Sequence, residues 1–129
     1  MIVNVDGGAR GNPGPAAIGV IVRDETGGVL LERGERIGQA TNNVAEYKAL
    51  ILGIRLAREL GADRVELIGD SELIIKQVQG KYKVKNEGMK PLHAEAKAAL
   101  ADFSEWSVRH VKRELNGDAD RLVNEALDG

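Results

Sequence analysis

The 129-residue chain is long enough for one domain that buries roughly two-thirds of its unfolded surface, so residues 1–129 are read as a single unit. It has no cysteine, which excludes disulfides, thiolate metal sites and a thiol nucleophile. Eighteen Lys and Arg against twenty Asp and Glu give a formal charge of −2, which argues against a partner held by overall positive charge.

The opening "MIVNVDGG" is too short and too quickly acidic for a signal peptide, and no apolar run approaches the roughly 20 residues of a membrane span. A soluble, cytoplasmic protein without membrane contact is expected. Ile2, Val3 and Val5 read as a short buried strand that ends on Asp6, with "AAIGVIVRD" and "GVLLERGERI" as the next two strands and "ETGG" as the hairpin turn between them. Short turns imply antiparallel neighbours.

After "GQATN" the period changes. Val44, Tyr47, Leu50, Ile51, Ile54, Leu56 and Leu60 recur at helical spacing up to Gly61, a residue suited to follow a helix. "RVELIGD" is a second apolar strand ending on an acid, and "SELIIKQVQG" reads as a short helix closed by Gly80. A helix from about Lys90, a strand at "WSVRHVKR" and a last helix at "DADRLVNEALD" complete the chain.

Three strands joined by hairpins, then strands separated by helices, predict an α/β fold: a five-stranded mixed sheet with flanking helices, strands one to three forming an antiparallel meander. Right-handed crossovers lay the fourth and fifth strands beside the first, giving the order 3-2-1-4-5. The first and fourth strands are then parallel neighbours, and Asp6 and Asp70 emerge side by side at the sheet's carboxyl edge. Neither has a Lys or Arg beside it in sequence. Like charges this close raise a pKa sharply or require a cation between them, and a hard divalent ion such as Mg²⁺ is the simplest compensation.

Two further acids are candidates for the same edge. Asn43 followed by Glu46 has the spacing of a capping box, so Glu46 is either a cap or a member of the site. Asp118 and Asp120 lie at the start of the last helix; Asp118 is expected to be its N-cap, which leaves Asp120 free to point elsewhere. "RGNPGP" links two antiparallel strands and so is a rigid turn or a binding loop, but not a phosphate loop of the strand-to-helix kind. From Lys76 to Lys90 five lysines (Lys76, Lys81, Lys83, Lys85, Lys90) meet one acid, Glu87, making a local basic patch inside an acidic average.

The stretches "DGGARGNPGPAAIGVIV", "ATNNVAEYKALILGI", "GDSELIIKQVQG" and "HVKRELNGDADRLVNEAL" resemble, in order and spacing, the type 1 ribonuclease H family, in the compact form that lacks a basic protrusion. The resemblance implies a ribonuclease H-like fold and a four-carboxylate catalytic and metal site at Asp6, Glu46, Asp70 and Asp120. It also implies two Mg²⁺ ions, with Mn²⁺ as substitute, and hydrolysis of the RNA strand of an RNA/DNA hybrid to leave 5′-phosphate ends. Substrate contacts carried over by the same resemblance are Gly7, Gly8 and Asn12 against RNA 2′-hydroxyls, and Thr41, Asn42 and Asn43 at a helix N-terminus. Ser71 matches too, although it equally suits an N-cap. Lys81, Lys83 and Lys85 would supply part of the missing protrusion's charge, with Tyr82 as the one aromatic suited to touch nucleic acid.

The loop histidine of many family members is absent. Arg113, Glu114 and Asn116 stand there instead, and Glu114 is the candidate to assist turnover. His93 and His110 are expected to be structural or surface residues, and Trp106 to begin the last strand and pack near the core. Cleavage of double-stranded RNA and a non-catalytic nucleic-acid-binding module are the rival readings, and a monomer is expected.

Overall fold

The computed structural model describes residues 1–129. One mixed sheet runs in the order β3-β2-β1-β4-β5. β1 (Ile2–Ala9), β2 (Gly14–Arg23) and β3 (Val29–Ala40) form the antiparallel meander, and β4 (Arg64–Gly69) and β5 (Glu105–His110) join as parallel neighbours. The helices are α1 (Asn42–Glu59), α2 (Glu72–Val78), α3 (Lys90–Leu100) and α4 (Gly117–Asp128), with a 3₁₀ turn at Arg113–Leu115. Element order and strand order are those expected from the hairpins and the handedness of the crossovers.

Strand ends differ from the sequence reading because neighbours supply ladder partners that glycines in the sequence conceal. β1 does not stop at Asp6 but continues to Ala9, paired with β2 as far as Ala9↔Ala16. β3 continues past Ile37 to Ala40, opposite Gly14, with bulges at Leu30 and Ile37. The hairpin before it is organised by Asp24, whose Oδ1 accepts from the backbone N–H of Thr26 and of Gly28, both at 2.9 Å.

The core lies between the sheet and α1. Val3, Val5, Val20, Val22 and Leu67 pack against Tyr47, Leu50 and Ile54, and each such aliphatic side chain contributes about 1.5–3 kcal/mol on burial. Tyr47 donates to Gln77 Oε1 and meets the ring of His93 edge-on, 6.3 Å between centroids. A ring nitrogen of His93 lies 3.2 Å from the Gln77 carbonyl oxygen, so His93 is structural, as expected. Trp106 lies in β5, packed against the same core, and His110 is exposed at that strand's end.

α4 covers the opposite face of the meander. It approaches so closely that a Cβ at Gly19 would come within 2.5 Å of the Ala119 carbonyl oxygen. Side-chain alternation along β1 therefore sends Val3 and Val5 toward α1, and Asn4, Asp6 and Gly8 toward α4. No helix is long and apolar enough to cross a membrane.

Candidate active site

Parallel pairing between β1 and β4 ends at Asn4↔Ile68, whereas β1 stays paired with β2 through Ala9. Asp6 thus sits just past the point where the two central strands part, and Asp70 follows the last residue of β4. That gap admits a side chain from the other face. At Gly7 the first turns of α1 lie against β1, where a Cβ would overlap the Ala45 carbonyl. The close approach brings Glu46 within reach, and its Oε1 accepts from the Gly7 N–H at 3.3 Å.

The capping-box expectation is corrected here. Thr41, not Asn43, is the N-cap of α1: its backbone is extended and its Oγ1 accepts from the Val44 N–H at 3.2 Å. Glu46 lies two residues beyond the third helical position, from which a side chain reaches back to the N-cap, and its carboxylate turns to the strand side.

Asp6, Glu46 and Asp70 place one carboxylate oxygen each within 4.8 Å of one another. Asp120 lines the same cleft, of about 520 Å³, from the first turn of α4. Two arginines reach the rim, and each already has a partner: Arg10 with Asp128 at 2.6 Å and Arg113 with Asp120 at 3.5 Å. Burial pushes the Asp6 carboxyl up to about 7, reinforced by the charge of Asp70 and, less, of Asp120. Glu46 is also raised, first by burial and then by the charge of Asp6. The crowded all-oxygen trio of Asp6, Glu46 and Asp70 suits a hard divalent ion.

The predicted binding residues divide. Gly7, Gly8, Asn42, Asn43 and Ser71 line the carboxylate cleft. Asn12 and Asn42 also tie the glycine-rich turn to α1, since Asn12 Oδ1 accepts from the Asn42 N–H at 3.0 Å and Asn42 Oδ1 from the Ala9 N–H at 2.8 Å. Ser71 is the N-cap of α2, accepting from the Ile74 N–H at 3.5 Å. Lys81, Lys83 and Lys85 lie outside the cleft on the exposed segment after α2; Lys83 lines a second hollow with Lys90, His93 and Lys97. Tyr82 is exposed like the lysines and held by Lys76, whose Nζ is 5.1 Å from the ring centroid, while Val84 turns inward to the core.

Asp118 does not cap α4. It lies inside the first turn and pairs with Arg23 at 3.0 Å, while Asn116 precedes the helix. Glu114 is exposed and does not line the cleft, whereas Arg113 does. Sequence reasoning passed over the part played by Asn116, which is buried. It donates to the Val5 carbonyl at 2.9 Å, accepts from Asn4 Nδ2 at 3.1 Å, and its own carbonyl accepts from the Asp120 N–H at 3.2 Å. It fixes the strand carrying Asp6 to the helix carrying Asp120. An Asn directly before Gly117 at a helix start was the available signal.

A family model described as "Reverse transcriptase-like" matches residues 4–126. The chain is 46% identical over 123 residues to a ribonuclease HI of Halobacterium salinarum, covering 95% of this chain and 62% of that protein. It spans 35% of a bifunctional protein of Mycobacterium tuberculosis, at 42% identity. The crystal structure of RNase H1 from Halobacterium salinarum superposes with a TM-score of 0.96 at 44% identity, covering 98% of this chain and 96% of that one. LC11-RNase H1 in complex with an RNA/DNA hybrid does so with a TM-score of 0.93 at 45% identity, with the same coverage.

Proposed function

The chain belongs to the ribonuclease H family, and from that premise we propose that it is a divalent-metal-dependent endonuclease that hydrolyses the RNA strand of RNA/DNA hybrids and leaves 5′-phosphate ends. The observation that carries this reading is the convergence of Asp6, Glu46 and Asp70 from two strands and a helix to within 4.8 Å. A nucleic-acid phosphate in the cleft would meet strong repulsion from these groups unless cations intervened. The neighbour in complex with an RNA/DNA hybrid supports the choice of substrate.

Asp6, Glu46, Asp70 and Asp120 are the residues that would hold Mg²⁺ or Mn²⁺. Two such ions, when bound, supply activation of the attacking water and neutralisation of charge on the departing oxygen. The protein's own part is positional. Asp6 is fixed by its strand, Glu46 by its bond to the Gly7 N–H, and Asp120 by Asn116. Gly7, Gly8 and Asn12 are assigned to the RNA strand, where 2′-hydroxyls separate RNA from DNA. Thr41, Asn42 and Asn43 are assigned to phosphate and groove contacts at a helix start, and Ser71, beside Asp70, to substrate binding.

Incubating hybrid, RNA duplex and DNA duplex of one sequence with Mg²⁺, with and without excess EDTA, tests the reading. Cleavage confined to the RNA strand of the hybrid and abolished by EDTA is expected. Undiminished cleavage in EDTA overturns the metal site, and equal cleavage of RNA duplex overturns the substrate assignment.

A further inference from the structure

β3 is the terminal strand of the sheet, so its outer edge presents backbone N–H and C=O groups without a ladder partner. Between the bulges at Leu30 and Ile37 it runs in regular register from Leu31 to Arg36. Bulges and charges ordinarily protect an edge from association. Here the order of the charges, Glu32-Arg33-Gly34-Glu35-Arg36, is complementary to itself when read in the opposite direction.

We propose that this edge is a pairing surface for a second copy of the same chain, which lays its β3 antiparallel alongside with Gly34 opposite Gly34. Glu32 then faces Arg36 of the second copy and Arg33 faces Glu35, each pair occurring twice about a two-fold axis. The faces agree with this arrangement. Leu31, Arg33, Glu35 and Ile37 are half-buried, with Leu31 and Ile37 packed against the core beneath α1. Glu32 and Arg36 lie on the α4 side: Glu32 is 3.4 Å from Arg121, and Arg36 donates to the carbonyls of Ala126 and Leu127. Arg33 and Glu35 of one chain are 3.3 Å apart, so their counterparts complete a network of alternating charge.

The register is specified by repulsion as well as attraction. A slip of one residue in one direction sets Glu32 against Glu35, and in the other direction Arg33 against Arg36. No residue from Val29 to Ile37 lines the carboxylate cleft, so both clefts stay open in the pair. This dimer replaces the monomer expected from the sequence and does not depend on the nuclease reading.

Sedimentation across the micromolar to millimolar range tests the proposal. The native chain shows a concentration-dependent dimer that weakens as salt rises, with amide exchange in β3 slowing as concentration increases. The E35R/R36E variant keeps composition and net charge but sets like charges opposite at every pair, and it stays monomeric. Adding E32R and R33E restores self-complementarity in reversed order and restores the dimer, which separates the interface from the bonds that Arg36 makes to α4. A native chain that remains monomeric with unchanged β3 exchange overturns the proposal. So does an E35R/R36E variant that dimerises like the native chain, or a folded quadruple variant that does not.

Discussion

At Asp6 a carboxylate is held where its charge is poorly solvated and crowded by other acids, which is why its pKa rises from 3.8 to about 7. A carboxyl raised in the folded state contributes stability that is full below its unfolded value and is lost as pH rises through the folded value. In divalent-free buffer the protein is therefore expected to lose stability from about pH 4 to about pH 7, and Glu46, raised in the same direction, adds to the slope. Asp6→Asn removes most of that slope and abolishes cleavage. Urea unfolding of the two proteins across this range checks it, and equal slopes would count against the electrostatic account. For Glu46 the geometry removes the capping alternative, so loss of the carboxylate is expected to act on chemistry and not on the helix. Glu46→Gln retains an oxygen for the Gly7 N–H and relieves repulsion. It is expected to leave the thermal midpoint unchanged or higher while lowering the rate of hybrid cleavage at least about 100-fold.

Among the elements, the segment after α2 is the one proposed to help a chain of net negative charge grip a nucleic-acid backbone. Lys81, Lys83 and Lys85 are exposed on a stretch without helix or strand, anchored by Val84 in the core and by the packing of Lys76 on Tyr82. They are separate from the carboxylate cleft, so the effect of replacing them is expected in binding and not in bond cleavage. Replacing all three by Ala is expected to raise the Michaelis constant. It is also expected to lower the slope of log affinity against log salt by roughly one unit for every phosphate that a lysine no longer neutralises. The rate at saturating hybrid stays nearly constant. Steady-state kinetics at several salt concentrations measure both quantities, and an unchanged salt slope returns these lysines to an ordinary solvated surface.

For the molecule as a whole, the order of elements, the strand order and the adjacency of Asp6 and Asp70 were legible in the sequence. Those follow from hydrophobic period, hairpin length and crossover handedness, which are local or topological properties that a chain cannot hide. Where polar side chains spend their hydrogen bonds was legible only in the folded chain. Thr41, Asn43 and Glu46 are equally plausible at a helix start until it is known what that start packs against, and only the approach of α1 to Gly7 turns Glu46 toward the strand. The same holds at α4, where Arg23 on a neighbouring strand claims Asp118. There too, the buried Asn116 binds two elements that lie 111 residues apart along the chain. A side chain's partner at the end of an element is set by distant surfaces brought together in folding, and no short-range pattern encodes it.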